Sequence, residues 1–251
     1  MNLKQVAAVA GVSVSTVSRV LNGKSYVNEE TRKIVTEAIR KTNYQPNALA
    51  QSLKMGRSNT ICLMIPSIEN LMFPKLTRGV EDEARKNGMT VFLCSTDEDA
   101  AIEKSYLETM KQRWIDGFIV CSLSSDAPHI RSLRDEGYPL VLVNRFEESD
   151  IGKVDTVTSD NFQIGYDATR YLARIGHKRI AIVCGREELL LYRERLRGYR
   201  KALADSGLPE REEYLLRESG GSNGFYYQIR ELAEQGQLPD AIFCTSDPKA
   251  F

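Results

Sequence analysis

The sequence predicts an α/β protein in two parts: a small all-helical module at the amino end, then a larger core of parallel sheets in two lobes. Three observations carry that prediction. Amphipathic helical patterns fill residues 1–44. From Thr60 onward, short unbroken apolar runs alternate with longer helical stretches, the pattern of parallel sheets covered on both faces. A weak segment at residues 145–155, rich in charge and Gly/Ser, divides those runs into two groups and reads as the crossing between lobes.

In the module, two short helical patterns meet at Gly11. Val6, Val9 and Ala10 form the inward face of the first, and Val17, Val20 and Leu21 that of the second, at i, i+3, i+4 spacing. Gly11 takes a positive φ without steric cost, so the chain can turn sharply there. Val12 plugs the space between the helices and Ser13 offers its hydroxyl as N-cap of the second. The pattern is a helix-turn-helix, with Val14, Ser15, Ser18 and Arg19 turned outward where a recognition helix meets base edges. An ordinary helical hairpin with a solvated polar face fits the same pattern, and residues 28–57 tip the balance toward the helix-turn-helix. Asn28 caps a third helix over residues 29–42, with Ile34, Val35, Ala38 and Ile39 as its buried stripe. Then comes Tyr44-Gln45-Pro46-Asn47-Ala48-Leu49-Ala50-Gln51-Ser52-Leu53-Lys54-Met55-Gly56-Arg57. Pro46 suits the first position of a short helix. About two turns of helix are too few to be stable alone in water, so this linker expects an outside partner to order it, and DNA is the natural candidate.

In the core, strands are predicted at 61–66, 90–94, 117–121, 140–144, 156–159, 179–184 and 241–245. Helices are predicted at 73–87, 100–113, 129–136, 161–175, 190–206 and 224–235. The domain boundaries are then 1–44 for the module, 45–59 for a hinge helix and linker, and 60–251 for the core. Lobe one runs over about 60–157 and lobe two over about 158–251. Ligands in such folds sit beyond the carboxyl ends of the strands, here the cleft between lobes.

The chain's net charge is zero, an average over two unlike parts. Residues 1–59 carry nine basic side chains against three acidic ones, so the remainder is acidic by the same surplus of six. That split suits a polyanion-binding module on a core without such affinity. No signal peptide and no bilayer-length apolar stretch is legible, which points to a cytoplasmic protein with no membrane partner. Cys62, Cys94, Cys121, Cys184 and Cys244 are odd in number and lie mostly in strand-like runs, as buried reduced thiols do. Metal spacing is absent, as are G-x-G-x-x-G, the Walker lysine motif and G-x-S-x-G, so neither an enzyme nor a cofactor is expected.

The runs Ala10-Gly11-Val12-Ser13, Thr16-Val17-Ser18-Arg19-Val20-Leu21-Asn22 and Tyr44-Gln45-Pro46-Asn47-Ala48-Leu49-Ala50 resemble the lactose/galactose-repressor (LacI/GalR) family of bacterial transcription regulators. The resemblance covers the chain from end to end and implies a headpiece, a hinge helix and a two-lobed, periplasmic-binding-protein-like effector core. Its partners would be double-stranded operator DNA, a small-molecule effector such as a sugar, and a second copy of the chain. Base readout falls on Val14, Ser15 and Arg19, the last suited to a bidentate guanine contact. Ser13, Thr16, Asn22, Tyr44 and Asn47 suit phosphates. By resemblance, paired Leu53 side chains wedge into the minor groove, with Ala50 and Lys54 beside them on the hinge; packing of Leu53 on the core is the alternative.

In the core, Asp160-Asn161, Gly165, Gly176-His177 and Arg195-Leu196-Arg197-Gly198-Tyr199 are family-like. Resemblance puts Arg195 in the cleft on the effector's polar groups, against a plain surface role. Phe73 faces the ligand or packs in the core, and Asp160 binds ligand or caps its helix. Asn144, Arg145, Ser246 and Asp247 complete the effector candidates, and His177 reads as structural. Two departures stand out. The run Glu218-Ser219-Gly220-Gly221-Ser222-Asn223-Gly224 lacks the aromatic wall frequent in the family. The chain also stops at Ala250-Phe251, where the family continues. The reading is therefore of a truncated chain with an incomplete second lobe, and a DNA-binding fragment without effector control is the rival function.

Overall fold

The computed structural model describes residues 2–21, 23, 26–44, 56–122, 127–217 and 224–250. It divides into two compact units, Met1–Ser58 and Asn59–Phe251.

The first unit packs α1 (Leu3–Ala10), α2 (Val14–Leu21) and α3 (Glu29–Thr42) around one small core. Each start is fixed locally. Asn2 and Gln5 form a reciprocal capping box on α1. The Ser13 hydroxyl accepts from the Thr16 amide at 3.2 Å, and the Asn28 carboxamide accepts from the Thr31 amide at 2.7 Å. Gly11 ends α1 at φ +63°, where a side chain would be strained. Val6, Ala7, Ala10, Val17, Val35 and Ala38 are all buried, and a fully buried Val side chain contributes on the order of 1.5–3 kcal/mol. Two inward assignments need correction. Val9 is 56% exposed while Ala7 is buried, and Ile34 is 47% exposed beside the buried Val35. At about 100° per residue, the face shared by Leu3, Val6, Ala7 and Ala10 leaves Val9 outside it, and the stripe through Val35, Ala38 and Ile39 likewise leaves out Ile34.

The second unit is an α/β core. Its strands and helices are β1 (Thr60–Ile65), α4 (Met72–Lys86), β2 (Thr90–Ser95), α5 (Ala100–Gln112), β3 (Gly117–Val120), α6 (Pro128–Asp135), β4 (Leu140–Val143) and β5 (Asp155–Val157). Then follow α7 (Asn161–Arg174), β6 (Ile180–Val183), α8 (Leu190–Asp205), β7 (Leu215–Leu216), α9 (Gly224–Glu234) and β8 (Ala241–Cys244). Among the described residues, a five-stranded sheet runs in the order β2-β1-β3-β4-β5 and a three-stranded sheet in the order β7-β6-β8, every pair parallel. Burial on both faces is visible in the alternation along β1. Cys62 and Met64 enter a cluster with Phe118, Leu133 and Leu142, while Leu63 and Ile65 enter one with Phe73 and Cys121. In β6, Ile180 and Ile182 pack on Leu196 and Tyr199, and Ala181 and Val183 on Tyr214 and Leu216. β8 is only half-buried, with Ile242 exposed.

The crossing between lobes lies later than residues 145–155. Val157 pairs with Val143, so β5 belongs to the first sheet and the chain changes lobe at Thr158–Asp160. Before β5, residues 145–154 form a loop with a 3₁₀ turn, Glu148–Asp150, whose buried Asp150 carboxylate accepts from the Glu147 amide at 2.9 Å. The two-residue β7 was not expected, being too short for any periodicity to register.

In lobe two, α7 and α8 approach each other backbone to backbone at Gly165 and Gly198. A Cβ on Gly165 would fall well inside van der Waals contact of the Arg195 carbonyl, and one on Gly198 inside that of the Phe162 carbonyl. Cys62, Cys94, Cys121 and Cys184 are buried and Cys244 is half-buried, all as free thiols. Burial pushes the Cys121 thiol up to about 12 and that of Cys184 to about 11. Among the described residues no helix is long and apolar enough to cross a membrane.

Candidate nucleic-acid interface and ligand cleft

The head's chemistry is concentrated on α2. Its Val17 side is buried, Ser15 and Arg19 are exposed on the opposite face, and Val14 is exposed at the open first turn. Ser13 gathers the first turn: its hydroxyl lies 2.8 Å from that of Ser15 and 2.9 Å from that of Thr16. No acidic residue occupies that turn, so the amino-terminal dipole is left to attract anions. The Arg19 guanidinium lies 5.7 Å from the centre of the Tyr26 ring, a residue that sequence reasoning passed over. Tyr44 is half-buried against the three-helix core. Asn22, Asn47, Ala50, Leu53 and Lys54 fall outside the described residues.

In the core, groups at the carboxyl ends of the two sheets meet across the lobes. Glu98, just past β2, accepts from Arg145 Nη2 at 2.6 Å and from Arg186 Nη2 at 2.7 Å. Arg145 follows β4 in lobe one, and Arg186 follows β6 in lobe two. Nearby, Glu147 of lobe one receives Arg193 of lobe two at 3.2 Å. Burial raises the Glu98 carboxyl's affinity for a proton. The Arg145 hydrogen bond and the charges of Arg145, Arg186 and Lys249 outweigh that, holding it below the ordinary carboxylate range.

Arg195, on α8, donates Nε to Asn161 Oδ1 at 2.9 Å and Nη1 to the Thr245 carbonyl. Burial lowers its pKa, while the neighbouring Tyr192 acts the other way. Lys249 and Arg195 share that Tyr192 ring, at 5.8 and 6.0 Å from its centre. Ser246 is half-buried and Asp247 exposed, at the start of a 3₁₀ turn, Asp247–Lys249.

Asn144 and Asp160 line one cavity of about 290 Å³ between the lobes, together with Phe146, Ile151, Leu190 and Glu194. Asn144 holds φ +63°, and Asp160 caps α7 through the Gln163 amide at 2.9 Å. Phe73 turns inward at the start of α4. At 3% exposure its ring belongs to the core cluster with Leu63, Ile65 and Cys121. His177 stands 3.6 Å from Asp240, at the amino side of β6.

Sequence reasoning missed Glu98, Arg186, Glu147, Arg193 and Lys249. The first two follow strand-like runs by three residues, so reading every strand's carboxyl end for charge would have found them. A second polar group was also missed. Glu103 on α5, 2% exposed, lies 2.7 Å from the Ser122 hydroxyl and 2.5 Å from His129 Nε2.

Comparison with known proteins matches both units. Residues 2–47 fit the model for bacterial regulatory proteins of the lacI family, and residues 58–251 that for periplasmic binding proteins and the sugar binding domain of the LacI family. The chain is 38% identical over 256 residues to the HTH-type transcriptional regulator RegA of Clostridium acetobutylicum, covering 100% of this chain and 75% of that protein. A transcriptional regulator CelR–cellobiose complex superposes with a TM-score of 0.68 at 29% identity, covering 99% of this chain and 75% of that one. The lac repressor dimer bound to operator and the anti-inducer ONPF superposes with a TM-score of 0.81 over 100% of this chain and 75% of its own; at 22% identity it attests the fold. The chain therefore belongs to the LacI family of bacterial DNA-binding transcriptional regulators, a helix-turn-helix head on a periplasmic-binding-protein-like core, and it is a regulator rather than an enzyme.

Proposed function

We propose that the chain represses transcription by binding a pseudo-palindromic operator as a homodimer, under control of a sugar or related small molecule held between the lobes. The observation that carries this reading is the α2 surface. Val14, Ser15 and Arg19 are exposed on a helix whose other side is locked by Val17 into the three-helix core. Arg19 reads guanine, a contact worth roughly 1–3 kcal/mol of discrimination. Val14 meets a thymine methyl, and the Ser13, Ser15 and Thr16 hydroxyls serve phosphates and base edges. Asn22, Tyr44, Asn47, Ala50 and Lys54 add backbone contacts, and Leu53 supplies the minor-groove wedge. A dimer is supported by exposed apolar side chains on lobe one, Leu71, Met72, Phe92 and Leu93, with an apolar groove beside α4.

For the effector, Arg195, Asn144, Asp160, Ser246 and Asp247 supply polar groups, and Arg145 supplies charge. A ligand bridging the lobes shifts the population of lobe arrangements and with it the affinity for DNA. The test is footprinting of the protein on its own upstream DNA at fixed salt, repeated across a sugar panel. A protected dyad whose occupancy responds to one sugar is the expected result. No preference over bulk DNA at low ionic strength overturns the reading.

A further inference from the structure

The chain has two histidines, and they stand in unlike settings. His129, in the first turn of α6, is 12% exposed, and its Nε2 lies 2.5 Å from Oε1 of the buried Glu103. The same oxygen accepts the Ser122 hydroxyl at 2.7 Å, while Glu103 Oε2 is buried with no hydrogen-bond donor among the described residues. An acceptor-only carboxylate fixes the ring proton on Nε2 and leaves the lone pair on Nδ1. Half-satisfied and buried, it also favours positive charge on the ring it faces. His129 lines a cavity of about 330 Å³ between α5 and α6, together with Lys104, Glu108, Lys111 and Ser132. The carboxylates there are already engaged, Glu108 at 3.9 Å from Lys104 and Glu136 at 2.6 Å from Lys111. No acidic residue occupies the first turn of α6, so its amino-terminal dipole favours an anion.

We propose that His129 is a phosphoryl-acceptor site built from lobe one alone, modified at Nδ1 by N-phosphorylated donors. The Nδ1 lone pair attacks the phosphorus of the donor. With phosphoramidate the phosphorus–nitrogen bond breaks and ammonia leaves with its electron pair. The imidazolium so formed keeps its Nε2 proton in the hydrogen bond to Glu103. Lys104 and Lys111 answer the negative oxygens that arrive. The modification adds a charge of about −1.5 to −2 at the start of α6, where the helix dipole favours it. Glu103 acts as a positioning residue, fixing which nitrogen is nucleophilic. For a transcription regulator this is a covalent input, and it does not depend on a sugar between the lobes.

The probe is potassium phosphoramidate, incubated with the full chain at neutral pH and followed by intact mass, tandem mass spectrometry and phosphorus NMR. His177 is the internal control: at 35% exposure it is the histidine that indiscriminate chemistry would label first. The expected product is an acid-labile phosphoryl group on His129 Nδ1, formed at least about tenfold faster than any label on His177. His129→Gln should abolish it. Glu103→Gln should slow it about tenfold or more and yield a mixture of Nδ1 and Nε2 isomers, a change that a purely structural role would not produce. Melting curves show whether each variant keeps its fold. If Glu103→Gln does not, the wild-type preference for His129 Nδ1 over His177 decides alone. The proposal is overturned by an absence of label, by label on His177 first or equally, or by the Nε2 isomer in the wild type. An unchanged rate and isomer in a folded Glu103→Gln variant overturns it as well.

Discussion

The guanidinium of Arg19 lies against the Tyr26 ring, 5.7 Å from its centre, so the one cation on α2 points outward with its side chain already held. Tyr26 is 69% exposed and contributes nothing to the head's core. Its value lies in positioning. An exposed cation–π contact is worth about 0.5–1 kcal/mol, so Tyr26→Leu is expected to weaken operator binding about two- to fivefold. The effect should fall on the operator-to-random-DNA ratio, and Tyr26→Phe should restore it. Fluorescence anisotropy on both DNAs at one salt concentration checks this.

Gly198 is forced by the close approach of α7 and α8. A methyl group there meets the Phe162 carbonyl and the Tyr166 amide, both backbone atoms that cannot step aside. Overpacking of this kind costs about 1–3 kcal/mol. Gly198→Ala should therefore lower the melting temperature of the core, while the protection of α1–α3 seen by amide exchange stays unchanged.

Arg195 ties α8 to the carboxyl end of β8 through the Thr245 carbonyl and to α7 through Asn161. Arg195→Met leaves both acceptors without this donor, at a cost of about 1–3 kcal/mol in chemical denaturation. If Arg195 also serves the effector, the variant keeps its operator affinity but loses the response to whichever sugar moves the wild type.

Glu98 has its carboxyl held below the ordinary value of 4.5 in the folded chain. A depressed folded pKa means the folded state binds fewer protons than the unfolded one near that value. The bridge therefore stabilises the core above the unfolded pKa and is lost as pH falls through the lower folded one. Denaturation midpoints from pH 7 to pH 3 should decline less steeply in Glu98→Gln than in wild type.

Leu53, outside the described residues, is proposed as the wedge between base steps. Leu53→Ala should leave the circular dichroism and melting of the chain intact and sharply weaken operator affinity, since unstacking offset by an inserted side chain is worth a few kcal/mol. Unchanged affinity at fixed salt would return Leu53 to a packing role.

Local chemistry made much of this legible. Ser13 and Asn28 announce helix starts by the amides they can cap, and Gly11 announces a turn by the φ it allows. Unbroken runs such as Ile180–Val183, alternating with amphipathic helices, read as strands covered on both faces. Legibility faded where a side chain's surroundings come from another segment. Nothing near Val9 or Ile34 reveals which stripe the neighbouring helices will cover. The lobe boundary near residue 157 was legible, but only the pairing of β5 with β4 showed that the crossing is Thr158–Asp160 and not the charged segment at residues 145–155. Phe73 opens α4 beside the carboxyl ends of the sheet, yet its ring turns into the core.

By itself the sequence determined the helix-turn-helix, the parallel α/β alternation, the basic head and the family to which the chain belongs. Each of these is encoded within a few residues, or in a period that repeats along the chain. Tertiary structure alone decided that Glu98 would bridge Arg145 and Arg186, that Tyr26 would hold Arg19, and that Gly165 and Gly198 would let two backbones touch. Those partners stand between 7 and 88 residues apart, brought together by the fold rather than by any spacing a reader of the chain can count.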